Sequence, residues 1–511
     1  MSFFPEGSDS ERRRAQWDLD AGAGNYLALV CGHLGGAALG FTSVWLAARA
    51  LGSNGYGGIV AFIAASQLVG QTALHWTAIS LFRHGCREFI EEGRIASAFW
   101  NRLAILAGNV ALVLFAAPWW LPRVSTLLSL PADAQGLVLL HVLATALSIH
   151  TQQALSAAKL PRFQALLQIA ERGAIAFGLL IASSSGAATW RLVAVIFTLA
   201  PLLSTCLALF RLRHFIFPPR GLDLSLLRQM VRFSYPLLFF SIVGYLTTNH
   251  LDAVFILRFL SASDLGVYGL AYQLAGMFMQ LSSLGGSLLM AFFITSDALD
   301  KESDRKPLVR FFRSFLPTLV LAWSSAAALA AILFSYLLDF FFHSSFQGAR
   351  TLIWPLMGAA ALAAPVTIAF GPAANARSRT SIAAVAALAA AVVNTVLNVV
   401  LIPRFGLMGC AWATTASFAT SLLVFLALAP RLVSTARSWT FYGTLPMLVG
   451  AVVVPRAGEW GALAAALASG ALIAVLRRRD VADTLHALAA HPAFKSLPLW
   501  KAADVQREEA P

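Results

Sequence analysis

The stretch SYPLLFFSIVGYLTTNHLDAVFILRFLSASDLGVYGLAYQLAGMFMQLSSLGGSLLMAFFIT (Ser234–Thr295) decides how the chain is read. It holds two long apolar runs joined by a short polar link, Ser261–Asp264. Each run is long enough for the ~20 apolar residues a helix needs to cross a bilayer. The second run opens with GVYGLAY (Gly266–Tyr272). That string recurs as GLMGCAW at Gly406–Trp412 and more loosely as GYGGIVA at Gly55–Ala61. Each copy follows an apolar helix and a polar link, so the chain restarts near its midpoint, as repeat-built membrane proteins do.

Across the whole chain, 58% of the 511 residues are hydrophobic and only 12% are charged. Soluble domains carry about a quarter charged residues, so this is an all-α polytopic membrane protein. Fourteen spans can be drawn, two sets of six followed by two shorter ones. The pattern divides into a polar N-terminal segment 1–23, a six-helix lobe 24–210, a linker 211–233, a second six-helix lobe 234–429, two extra membrane helices 430–476 and a basic tail 477–511. The linker contains LDLSLLRQMVRFSY, whose helical apolar spacing predicts an interfacial helix. No removable signal peptide is expected, because the first apolar run is too long for one. The four cysteines show neither a disulfide framework nor metal-ligand spacing.

The formal charge of +13 is read as orientation rather than as affinity for nucleic acid. With the N-terminus inside, the inner segments hold 29 of the 37 Lys and Arg residues and the outer links hold 7. Arg172 alone is left within a span. This asymmetry alternates at every loop and places both termini in the cytoplasm.

Polar side chains at membrane depth are costly and mark candidate functional positions. Span 2 (57–81) carries Gln67, Gln71 and His75 four residues apart, one face of a regular helix. Span 5 (164–183) carries Gln164, Gln168, Glu171 and Arg172. Span 7 (234–257) presents Tyr245, Asn249 and Asp252 on one face. Gln273 and Gln280 share a face of span 8, and Asn394 with Asn398 a face of span 11. Each group has two readings, the wall of a wet cavity or hydrogen bonds and ion pairs that hold helices together. A Glu171–Arg172 pair and an Asp252–Arg258 pair are the structural alternatives for the charged members. Asp252 and Glu171 are also the acids that would hold a coupling ion. His141 and His150 in span 4 read as satisfied core residues. Gly32, Gly36 and Gly40 allow close helix contact, and the Gly-x-x-Gly strings allow tight packing at the outer rim. No residue pattern calls for a cofactor or a metal.

NTVLNVVLIPRFGLMGCAWATTASF (Asn394–Phe418) resembles the eleventh-to-twelfth helix signature of bacterial polysaccharide and O-antigen flippases, within the multidrug/oligosaccharidyl-lipid/polysaccharide exporter superfamily. ARALGSNGYGG (Ala48–Gly58) resembles their first-to-second helix link, and LSASDLGVYGLAYQLA (Leu260–Ala275) its midpoint equivalent. The resemblance covers about residues 20–476. It implies two six-helix lobes facing a central cavity, and transfer of an undecaprenyl-diphosphate-linked glycan between leaflets of the bacterial inner membrane by alternating access. Membrane lipid and other polysaccharide assembly proteins, such as a polymerase, are the implied partners. A cationic, amide-rich cavity suits a diphosphate and a hydroxyl-rich glycan.

Other readings stay open. A cation-coupled multidrug exporter of the same superfamily is one, although span 1 lacks the acid such relatives use. A lipid II flippase is another, although spans 1 and 2 lack a basic cluster. A membrane polymerase, ligase or glycosyltransferase would need acids on a sizeable outer loop, and every outer link here is short and poor in them.

Overall fold

The computed structural model describes residues 9–246, 249–298, 311–342, 344–377, 379–428 and 439–489. Among these, every regular element is helical. In order they are α1 (Asp9–Val69), α2 (Ala78–Glu92), α3 (Ala96–Leu127), α4 (Gln135–Ala157), α5 (Pro161–Ser184), α6 (Trp190–Ile216), α7 (Leu224–Leu246), α8 (Asn249–Phe259) and α9 (Ala262–Ala298). Then follow α10 (Leu316–Phe341), α11 (Gly348–Pro365), α12 (Gly371–Ala376), α13 (Thr380–Leu428), α14 (Trp439–Leu476) and α15 (Arg478–Ala489). Nine helices among the described residues are long and apolar enough to cross a membrane. Three of the nine are hairpins, folded back within α1, α13 and α14 at Gly52, Gly406 and Gly458. Counting each hairpin as two gives twelve crossings; of the fourteen expected spans, the two at 234–257 and 264–292 fall on α7 with α8 and on α9.

The hairpin turns show which glycine matters in each link. Gly52, Gly406 and Gly458 all have positive φ, the left-handed region where a side chain would be strained. In the first link the turn therefore falls on Gly52, three residues before the expected string. The α8–α9 link needs no such glycine, because Ser261 and Asp264 close a capping box there. The Asp264 N–H donates to Ser261 Oγ at 3.2 Å. The Ser261 N–H donates to Asp264 Oδ2 at 3.1 Å. The α14 turn carries a further copy of the repeat, GEWGALA (458–464), which the three strings found in the sequence do not include.

Two compact units result, residues 1–269 with 342–346 and residues 270–341 with 347–511. In the first, the first and second copies of the string pack on each other. A Cβ on Gly57 would collide with the carbonyl of Ala262, and one on Gly266 with that of Ser53. The Ser53 and Ser263 hydroxyls bond at 2.7 Å in the same contact. Of the three span 1 glycines only Gly32 is closely packed, since a Cβ there would lie 2.6 Å from Ala165 Cβ, whereas Gly36 and Gly40 face open space.

One end of this unit is tied down by Glu88, whose carboxylate accepts from Ser97 N–H and Ala98 N–H, each at 2.8 Å. An anion at this position suits the positive end of α3. Arg220 reaches Glu92 at 2.6 Å, and Trp100 Nε1 donates to the Ile216 carbonyl at 3.0 Å. Asp223 caps α7 through the amides of Ser225 and Leu226. The linker stretch expected to form an interfacial helix is thus the opening of α7, with no break before the span.

The second unit buries an aromatic cluster, in which Phe293, Phe312, Phe370 and Phe425 pack with centroids 5.6 to 6.1 Å apart. Gly286 lets α9 approach the π-helical turn Val366–Phe370, where Ser282 and Thr367 hydroxyls meet at 2.7 Å. The last hairpin is clamped by Arg350. It grips both oxygens of Glu459 at 2.7 and 2.9 Å and Asp339 at 2.5 Å.

Candidate functional site

The polar row of span 2 does not survive as one face. Gln71 Nε2 donates to Gln67 Oε1 at 3.4 Å. The chain then widens into a π-helical turn, Gly70–Leu74, and tightens into a 3-10 turn, His75–Thr77. A π-turn adds a residue to the helical circuit and is often found at functional positions. Here it removes His75 from the Gln67–Gln71 row and lays its ring on Gly70, where a Cβ would lie 2.8 Å away. The His75 ring is buried, and among the described residues neither nitrogen has a partner.

Beside it lies a residue that the charge count places in the inner loops. Arg102, on α3, is fully buried. Its Nη2 donates to the carbonyl of Leu74, the last residue of the π-turn, at 3.4 Å. Nothing in the local sequence marks it as buried, because α3 starts at Ala96 on a cap supplied by Glu88 rather than by an adjacent residue. On α4, His150 is buried against the Phe99 ring (centroids 4.4 Å), again with both nitrogens unpartnered among the described residues. The expectation of a satisfied core histidine thus fails for His150. It holds for His141, which bonds Thr198 at 3.3 Å and packs on Phe62.

On α5 the four candidates separate. Glu171 is half-buried, with Ser204 and Ser148 beside its carboxylate. Arg172, one residue on, is exposed, and no ion pair joins it to Glu171 among the described residues. About 100° of rotation per residue sends the two side chains different ways. Gln164 accepts from Ser156 at 3.0 Å, and Gln168 is half-buried.

Asp252 is buried and accepts from the Tyr268 hydroxyl at 2.5 Å. The alternative partner, Arg258, is exposed. The Asp252 bond therefore comes from the string GVYGLAY itself, whose residues the sequence marks only for packing. The Asn249 side chain lies outside the described residues. In the second unit Asn394 and Asn398 are buried and bonded to each other at 3.0 Å. Gln273 is half-buried and Gln280 exposed, so span 8 does not present them equally. No cluster of metal-ligating side chains occurs among the described residues.

Solved structures of the same architecture are flippases and multidrug transporters. The chain is similar to the lipid II flippase MurJ in an inward closed conformation, with 13% identity and a TM-score of 0.65 over 89% of this chain and 99% of that one. It is similar to an inward-facing multidrug resistance MATE family transporter of the MOP superfamily, with 11% identity and a TM-score of 0.58 over 78% and 95% of the two chains. The Vibrio cholerae MATE transporter VcmN gives 12% identity and a TM-score of 0.55 over 82% and 97%. No curated protein sequence matches. The fold is thus one shared with solved multi-pass membrane transporters. A family model described as polysaccharide biosynthesis protein matches residues 85–349, just over half of the chain, and the chain belongs to that family.

Proposed function

We propose that the protein flips a lipid-diphosphate-linked oligosaccharide from the inner to the outer leaflet of the bacterial cytoplasmic membrane, for surface polysaccharide or exopolysaccharide biosynthesis. Membership in the polysaccharide biosynthesis family carries this reading. The shared fold supports transport by alternating access between lobes 24–210 and 234–429, joined by the linker 211–233. In this reading the extra helices 430–476 are peripheral, and both termini and the tail 477–511 are cytoplasmic. The cargo is an undecaprenyl-diphosphate-linked glycan such as an O-antigen unit, and a polymerase would receive it outside. The buried amides and the cations of the N-terminal unit suit a hydroxyl-rich, anionic cargo.

Deleting the gene should leave lipid-linked glycan inside the cell, inaccessible to a periplasmic probe. Normal arrival of that glycan at the outer leaflet, with none accumulating inside, would sink the proposal. The likeness to MATE transporters favours a second reading, a cation-coupled small-molecule exporter. That reading predicts drug sensitivity in the deletion strain with surface glycan unchanged.

A further inference from the structure

Arg102 is a full positive charge with no counter-charge among the described residues. A guanidinium does not deprotonate in proteins, and a buried charge without a partner is among the most costly groups a fold can hold. Arg102 has no exposed surface and makes one bond, at 3.4 Å, to a carbonyl. Its Nε and Nη1 have no partner among the described residues.

A carboxylate is the expected counter-charge, and the surrounding elements supply none. The turns 70–77 and helices α3, α4, α6 and α7 contain no Asp or Glu at all. The acids of neighbouring elements whose side chains are described are engaged elsewhere. On α2, Glu88 caps α3, Glu91 bonds Arg87, and Glu92 pairs with Arg220. Glu171 has Ser148 and Ser204 beside it, Asp252 is bonded by Tyr268, and Asp133 pairs with Arg191.

What surrounds Arg102 is instead a set of unanswered hydrogen-bonding groups. His75 directly follows Leu74, whose carbonyl Arg102 binds, and His150 packs on Phe99, one turn before Arg102 on α3; each ring has two unpartnered nitrogens among the described residues. The Thr77 hydroxyl, in the same 3-10 turn as His75, is buried and likewise without a partner among the described residues. A guanidinium fork, two imidazoles and a hydroxyl, with no carboxylate among them, are complementary to a tetrahedral oxyanion. The π-turn and Gly70 together make room for the His75 ring in this position.

We propose that Arg102, His75, Thr77 and His150 form an occluded site for a phosphate-class oxyanion inside the N-terminal unit. The site does not depend on the flippase reading, since the uncompensated charge is present whatever the cargo. Its ligand has two sources of the same chemistry, a polyprenyl diphosphate headgroup or free inorganic phosphate.

The test uses the full chain, purified in detergent in a buffer whose only anion is a bulky sulfonate. Thermal midpoints are read against rising inorganic phosphate, inorganic pyrophosphate, and polyprenyl diphosphate in micelles of an uncharged maltoside detergent. Binding to the folded state raises the midpoint with ligand concentration. The wild type should respond to at least one arm, and the responding arm identifies the source. Arg102→Gln should not respond, and should be no less stable than the wild type when anion is absent, because a buried charge has been removed. Arg404→Gln, at an exposed arginine far along the sequence, should respond as the wild type does. If Arg102→Gln fails to fold, His75→Gln takes its place and should raise the concentration for half the shift by about tenfold, as loss of one charge-assisted hydrogen bond implies. A wild type indifferent to all three arms overturns the site, as does a response that persists in Arg102→Gln or is unchanged in His75→Gln. None of these outcomes bears on whether glycan crosses the membrane, so this site and the flippase reading fail separately.

Discussion

Gly57 and Gly266 lie in a reciprocal contact that leaves no space for a side chain on either. Each α-carbon is pressed against a backbone carbonyl of the opposite link, Ala262 for Gly57 and Ser53 for Gly266. Backbone cannot move aside as a flexible side chain can. Gly57→Ala and Gly266→Ala should therefore each cost about 1–3 kcal/mol, the usual penalty of overpacking. Gly58→Ala is the control. Its Cβ would meet nothing nearby, and alanine is the better helix former by roughly 1 kcal/mol. Thermal unfolding in detergent should show the first two lowered and the third unchanged or raised.

The Asp252–Tyr268 bond gives a second expectation. Tyr268→Phe deprives a buried acid of a donor, a loss of about 1–3 kcal/mol. Asp252→Asn keeps an acceptor for the hydroxyl and should cost less. If Asp252 holds a coupling ion, Asp252→Asn will accumulate normally yet abolish export. If the residue is structural, export will follow protein abundance in both variants.

Arg172 and Glu171 should behave differently, although they are adjacent. Arg172 is exposed and unpaired with Glu171. Arg172→Ala should accordingly shift stability by no more than about 0.5 kcal/mol. Under the flippase reading it should nevertheless lose export, measured as glycan reaching the outer leaflet at equal protein level. Unchanged export would remove Arg172 from the candidate site. Glu171→Gln keeps the size of the side chain and its capacity to accept from Ser148 and Ser204, and should fold.

The Arg220–Glu92 contact beyond the second span predicts a pH dependence. The hydrogen bond from Arg220, with its charge, holds the Glu92 carboxyl below the usual carboxylate range. A depressed carboxyl contributes above its unfolded pKa, and that contribution is lost as pH falls through the folded one. Both groups are exposed to solvent, so salt should weaken the effect. Proteolysis within residues 217–223 should accelerate as pH drops into the acidic range and as salt rises. Glu92→Gln should be fast at every pH.

The fold was legible because apolar run length, loop charge and a repeated string each depend on local sequence. The polar sites were less so, for identifiable reasons. His75 falls four residues after Gln71, and that spacing means one face only if the helix is regular. A π-turn leaves no mark in composition. Arg102 looked like a loop charge because the start of α3 is capped by Glu88, several residues back on another helix. Tyr268 was masked by the glycines around it, whose packing role is real but incomplete. The Asn394–Asn398 bond, by contrast, follows directly from their spacing of four on one helix.

The hairpin of α14 turns on Gly458 and is fastened by Glu459, the residue after the turn, to Arg350. Turn and fastening together occupy one short string, and that string recurs through the chain. A unit of this kind crosses the membrane an even number of times. Its gain or loss leaves the sidedness of every preceding loop unchanged, so the span number of such a protein can grow in twos without inverting its topology.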